Sequence, residues 1–174
     1  MNDEPVEVVE YDPEWPVAFI REASRLRAAL GARVLGVEHV GSTSVPGLVA
    51  RPVIDVMLTV RRLDDALDIR PDLERLGYIH LHGPRAHAMR RHFFRDSPPL
   101  HNVHVVEPSG DEWERLVLFR NWLRADLDER IRFAELKIAL AAAHRDDLQA
   151  YTDAKAPFIT DALAKARAAR RGAS

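Results

Sequence analysis

Nothing in this chain constrains its fold more than Pro52–Val60, the run Pro-Val-Ile-Asp-Val-Met-Leu-Thr-Val. An apolar, β-branched stretch of this length reads as a strand buried on both faces, the place of a central strand in a sheet covered by helices. Side chains alternate along a strand, so Ile54, Val56, Leu58 and Val60 share one face. Val53, Asp55, Met57 and Thr59 share the other. Asp55 is therefore a carboxylate inside an apolar strand, and such a charge needs a partner. A divalent cation is a natural one, and a hydrogen-bonded structural role is the alternative.

The segment before this strand supplies a second signal. Val34–Val40 reads as a strand and runs into Gly41-Ser42-Thr43-Ser44, a glycine-hydroxyl turn within the loop Gly41–Gly47. Glycine lets backbone approach a ligand closely, and clustered N–H groups form a concavity for an anion. Further elements are expected around this pair. Val6–Val9 alternates like a short strand, and Asp12-Pro13 opens a helix whose apolar positions Trp15, Phe19, Ala23, Leu26 and Leu30 end at Gly31. A helix is expected over Leu63–Leu76, then strands at Tyr78–Leu81, Met89–Arg95 and Leu100–Glu107. Ser109-Gly-Asp-Glu112 reads as a capping box, with Leu116, Phe119, Leu123 and Leu127 as one apolar stripe. Two further helices follow, through Ala150 and on to about Arg167, and the tail from Arg170 is expected to fray. The reading is one α/β domain over residues 1–174, an α+β mixed sheet with a helical C-terminal third.

Composition narrows the function. The chain has no cysteine, which excludes disulfides and thiolate metal sites. A net charge of −2 argues against broad electrostatic capture of nucleic acid. No run approaches the ~18 apolar residues of a membrane span. The N-terminus lacks the basic-then-apolar pattern of a secretory signal, so a cytoplasmic location is expected. Six of the eight histidines lie between His80 and His104, together with Arg85, Arg90, Arg91 and Arg95. That patch suits either an anionic ligand or a solvated Arg-rich surface. His80, His82, His87, His92 and His144 have no motif around them and read as surface or structural residues.

Taken together, several blocks of the chain resemble the GrpB family. They are Tyr11-Asp-Pro-Glu-Trp-Pro16, Glu38 through Asp55, His101-Asn-Val-His104, Phe119-Arg120 with Leu123-Arg124, and Tyr151-Thr-Asp-Ala-Lys155-Ala-Pro-Phe-Ile159. The resemblance implies a nucleotidyltransferase-like fold, with the Gly-Ser turn before a metal-binding strand. It also implies a link to coenzyme A biosynthesis, since family members are found fused to dephospho-coenzyme A kinase. Active nucleotidyltransferases carry acids at i and i+2 of that strand and hold two Mg²⁺ ions. Here the i+2 position is Met57, and Asn102 stands where the family's pattern has histidine.

The site expected from these readings follows. Asp55 and Ser42 are the catalytic candidates. Gly41, Ser42, Thr43, Ser44, Arg51, Arg120 and Lys155 are expected around phosphate or nucleotide, with Arg51 placed to clamp a phosphate. Arg120 and Arg124 share a helix face, where pairing with neighbouring acids is the alternative. A divalent metal ion (Mg, Mn or Zn) is expected on Asp55 and His104, with His39 as a further ligand or a hydrogen-bond partner of the turn. The function so read is metal-assisted nucleotidyl or phosphoryl transfer on a nucleotide or phosphorylated small molecule. The alternative is a non-catalytic nucleotide-binding or folding-helper module.

Overall fold

The computed structural model describes residues 5–81, 91–96 and 98–172. His82, His87, Arg85, Arg90 and the beginning of the strand expected at Met89 lie outside the described residues. The first helix, α1 (Glu14–Leu30), starts where Asp12 Oδ1 accepts the Glu14 N–H at 2.8 Å. It buries Trp15, Ala23, Leu26 and Leu30 along one stripe and stops at Gly31, which takes a φ of 57°. The 3.6-residue period and the C-terminal glycine therefore both act as read from the sequence.

Five strands follow: β1 (Gly36–Val40), β2 (Val53–Thr59), β3 (Ile79–Leu81), β4 (Arg91–Arg95) and β5 (Leu100–Val106). They form one sheet in the order β1-β2-β5-β4-β3. The pair β2/β5 is parallel and every other pair is antiparallel. The parallel pair requires a crossover, and it carries α2 (Ala66–Arg75) together with β3 and β4.

One face of the sheet, bearing Val37, Ile54, Val56, Leu58, Phe93, Val103 and Val105, packs with α1 and α2 into the main core. On the opposite face Val40, Met57 and Val106 pack under Trp113, Leu116 and Val117 of α3 (Asp111–Ala125). The C-terminal helices α4 (Leu127–Ala143), α5 (Leu148–Ala154) and α6 (Ala156–Gly172) complete the fold. Val45 and Leu48 of the loop between β1 and β2 pack with Leu123, Phe133 and Phe158. Among the described residues no helix is long and apolar enough to cross a membrane.

Several local expectations change. Val6–Val9 forms no strand; its one ladder contact is the bridge between Val9 and Ala50. The capping box does not form, because Ser109 sits at φ 59°, Gly110 is the N-cap, and both Glu112 oxygens accept from Arg115 at 2.8 Å. The apolar stripe breaks at Asp126, which ends α3 and caps α4 by accepting the Glu129 N–H at 2.9 Å. Leu127 consequently begins a new helix and is 56% exposed. The C-terminal third holds four helices rather than three, and the last runs on past Arg167 to Gly172.

Candidate functional site

Asp55 is placed by the sheet register. Its Cα pairs with Val40 on one side and Asn102 on the other, so all three side chains share a face. Asp55 Oδ1 accepts hydrogen bonds from Asn102 Nδ2 at 3.0 Å and His104 Nε2 at 3.1 Å. Burial pushes the Asp55 carboxyl up, but the hydrogen bond and charge of His104, with the Asn102 amide, hold it below the usual carboxylate range. The His92 ring stacks on His104 with centroids 4.8 Å apart. The other carboxylate oxygen lies against Gly41, where a Cβ would stand 2.2 Å from Asp55 Oδ2. The Asp55 side chain is 23% exposed, so it is not sealed in the core. Recesses lie away from it, one beside Leu63, Glu107 and Trp113 and one between α3 and α6 near Trp122 and Ala169.

The Gly-Ser turn has its hydroxyls divided. Gly41 takes φ 72° and ψ −173°, and Ser42–Ser44 make a single 3-10 turn. Ser44 Oγ donates to Gly41 O at 2.6 Å, and Thr43 Oγ1 donates to Val53 O at 2.9 Å. Arg124 anchors the same turn, donating to Ser44 O from Nε at 3.0 Å and from Nη2 at 2.6 Å. The hydroxyls of Thr43 and Ser44, expected toward phosphate, are thus spent on the protein's own carbonyls. Ser42 remains half-buried with its hydroxyl making no hydrogen bond among the described residues. The first two amides of a 3-10 turn, here those of Ser42 and Thr43, have no acceptor inside it.

His39 takes the second of its two expected roles, and Arg120 turns away from the loop. His39 pairs with Val56, on the face opposite Asp55, and its ring stacks on Phe19 of α1 at 4.7 Å. Burial pushes its imidazole down to about 4, and Nε2 meets Thr43 Oγ1 at 3.1 Å. It is the turn's partner rather than a ligand beside Asp55. Arg120 Nη1 donates to Glu38 Oε2 at 3.0 Å and to His39 O at 2.9 Å, joining α3 to β1. Its Nε and Nη1 are committed inside the protein, and it pairs with none of the acids expected near it in sequence.

Basic groups do gather over the loop. Lys155 caps α5, and its Nζ lies 4.0 Å from the Tyr151 ring centre. Burial and the Arg51 guanidinium lower its ammonium to about 8, against the pull of Asp55. Among the described residues Lys155 makes no ion pair. Sequence reading missed Lys137 of α4, which is 1% exposed and donates from Nζ to Val49 O. A lysine amid Ile, Leu and Ala on a helix looks like a solvated position, so nothing local marks it.

The donor set around Asp55 differs from the expected one. Met57 occupies the position of a second acid, is fully buried, and packs under α3. Asp55 Oδ1 is already taken by two donors, His104 offers a donor rather than a lone pair there, and His39 lies on the other face. Among the described residues no three His, Asp or Glu side chains gather as a metal group. A closed three-ligand protein site of the kind Zn²⁺ takes is therefore not formed among the described residues.

Comparison with known proteins gives the context. A UPF0157 protein of Halalkalibacterium halodurans is 40% identical over 94% of this chain and 83% of its own length. The dephospho-CoA kinase of Mycolicibacterium paratuberculosis is 32% identical over 93% of this chain, which spans 46% of that protein. The crystal structure of the conserved protein GrpB from Enterococcus faecalis superposes with a TM-score of 0.83 at 34% identity, covering 92% of this chain and 96% of that one. The Cid1 poly(U) polymerase shares the fold, with a TM-score of 0.52 at 12% identity over 76% of this chain and 44% of that one. The five-stranded mixed sheet with its helices is therefore a nucleotidyltransferase-like fold. With the GrpB protein family matching residues 5–165, this chain belongs to the GrpB family.

Proposed function

We propose that this protein is a binding module for the phosphate groups of a nucleotide or phosphorylated small molecule, held by Gly41, Ser42, Arg51 and Lys155 without a resident metal. The observation that carries the reading is Lys155. Its ammonium is half-buried, makes no ion pair among the described residues, and shares its surroundings with Arg51. A desolvated ammonium without a counter-charge costs stability, and a phosphate supplies the missing charge. Asp55 limits the surplus of positive charge and fits against Gly41, keeping the turn in its shape. The burial of Met57 supports binding over the transfer reading, because it removes the second acid of polymerase-type chemistry. Transfer retains one supporting feature, the Asp55–His104 hydrogen bond, which is the kind of pair that moves protons.

Relatives named dephospho-CoA kinase make coenzyme A precursors the natural first ligands to try beside ATP. Calorimetry with ATP and with dephospho-CoA, in EDTA and again in Mg²⁺, tests the proposal. Binding is expected in both conditions, and Lys155→Ala should weaken it about tenfold or more, the effect of losing one charge-assisted contact. Binding that requires Mg²⁺, or that ignores Lys155→Ala, would overturn it. Turnover lost in His104→Ala would restore the transfer reading.

A further inference from the structure

Lys137 is a titratable group that the binding site does not itself use, and its setting is unusual. Its side chain is 1% exposed, with Nζ 4.9 Å from the Phe133 ring centre, at the edge of the apolar cluster of Val45, Leu48, Leu123 and Phe133. One ammonium hydrogen goes to Val49 O. Among the described residues no carboxylate pairs with it. Val49 precedes Ala50, whose N–H and C=O both bond Val9 at 2.9 Å, and Ala50 precedes Arg51. Lys137 therefore helps fix the backbone that presents Arg51.

We propose that Lys137 is a positioning residue that also makes the site proton-linked: a phosphate bound beside Lys155 draws a proton from solvent onto the Lys137–Lys155 pair. The proposal rests on the phosphate-binding reading above. The charged and titratable groups facing the pair are few. From the end of α5 come Lys155 itself and Tyr151, and from the segment before β2 comes Arg51, whose charge reaches both of these. Among the described residues Asp55 of β2 is the carboxylate that acts on Lys155. Facing Lys137, Lys155 is the charged neighbour, and the rest is a ring and a carbonyl. Two desolvated ammoniums raise each other's cost, so burial and this repulsion lower Lys137 to about 7 and burial and Arg51 lower Lys155 to about 8. An anion between Lys155 and Arg51 reverses the balance, favours both charged forms, and so must take up protons as it binds.

Isothermal titration of magnesium-free ATP at pH 8, in two buffers of different ionisation enthalpy, reads the effect. The terminal phosphate, with its second ionisation near pH ~6, is already fully ionised there, so uptake reports on the protein. The wild type should take up a substantial fraction of a proton per ATP. Lys137→Met, of similar length and without charge, should cut that uptake by more than half while ATP still binds. Lys137→Gln serves as a second variant if the first does not fold. Binding whose enthalpy is the same in both buffers overturns this proposal alone, as does a folded Lys137 variant with wild-type uptake. Absence of any ATP binding overturns both this proposal and the phosphate-binding reading.

Discussion

The Cα of Gly41 rests on the carboxylate of Asp55, so closely that a methyl group at position 41 would stand 2.2 Å from Oδ2. The turn and the strand carboxylate are thus one packed unit. Gly41 also takes φ 72° and ψ −173°, a region that residues with a Cβ rarely enter. Gly41→Ala is expected to cost roughly 3 kcal/mol, from backbone strain together with displacement of Asp55. Urea unfolding measures this, and a loss below about 1 kcal/mol would show that the turn yields freely.

Asp55→Asn separates structure from metal chemistry. The folded carboxyl lies below the usual range, so its contribution is complete above the ordinary carboxylate value of ~3.9 and is lost as pH falls below that. The variant should lose about 1–3 kcal/mol at pH 7 through its weakened bond to His104, and its stability should fall less steeply between pH 4 and 2. Affinity for ATP in EDTA should not drop, since the removed charge repels phosphate. A drop would return Asp55 to the role of a ligand anchor.

At Met57 the binding and transfer readings part. The side chain is fully buried among Val40, Val106, Trp113, Leu116 and Val117. Met57→Asp should therefore destabilise the protein by about 3–5 kcal/mol, the cost of an unpaired buried carboxylate, and added Mg²⁺ should not restore it. Thermal melts with and without Mg²⁺ decide the point, and a Mg²⁺-dependent recovery would reveal a latent two-acid site.

Lys137 leaves a mark on stability even with no ligand present. An unfolded lysine keeps its proton to pH ~10.4, whereas burial lowers Lys137 to about 7 in the fold. Unfolding between these values takes up a proton, so the wild type should gain stability as pH rises from 7 toward 10. Lys137→Met should remove that part of the slope and be more stable at pH 7 by on the order of 2–3 kcal/mol. Denaturant curves at pH 7 and pH 9 test this; parallel pH dependence in the two proteins would contradict it.

Local pattern was enough for most of the elements and for the face of β2 on which Asp55 lies. The 3.6-residue stripe of α1, the stop at Gly31 and the alternation of Ile54, Val56 and Leu58 against Asp55 are local patterns, and each formed as read. The Gly-Ser turn was legible in its own residues, while the meeting of Asp55 with His104 and the approach of Lys155 to Asp55 were legible through resemblance to a family, which carries tertiary information in its spacing. Direction and company came from packing between elements. His39 is one residue from Glu38 and two from Gly41, yet the register of β1 on β2 turns it toward Phe19 and away from Asp55. A one-residue slip would have turned it the other way, and nothing in β1 alone fixes that choice. Arg120 reached Glu38 across the fold, and Arg124 took the Ser44 carbonyl. Met57 became core because α3 lies over it. Lys137 was buried because the loop before β2 packs against α4 and brings the Val49 carbonyl to its ammonium. Burial and charge pairing between distant segments are set by how elements pack, and a period along one helix or strand does not encode them.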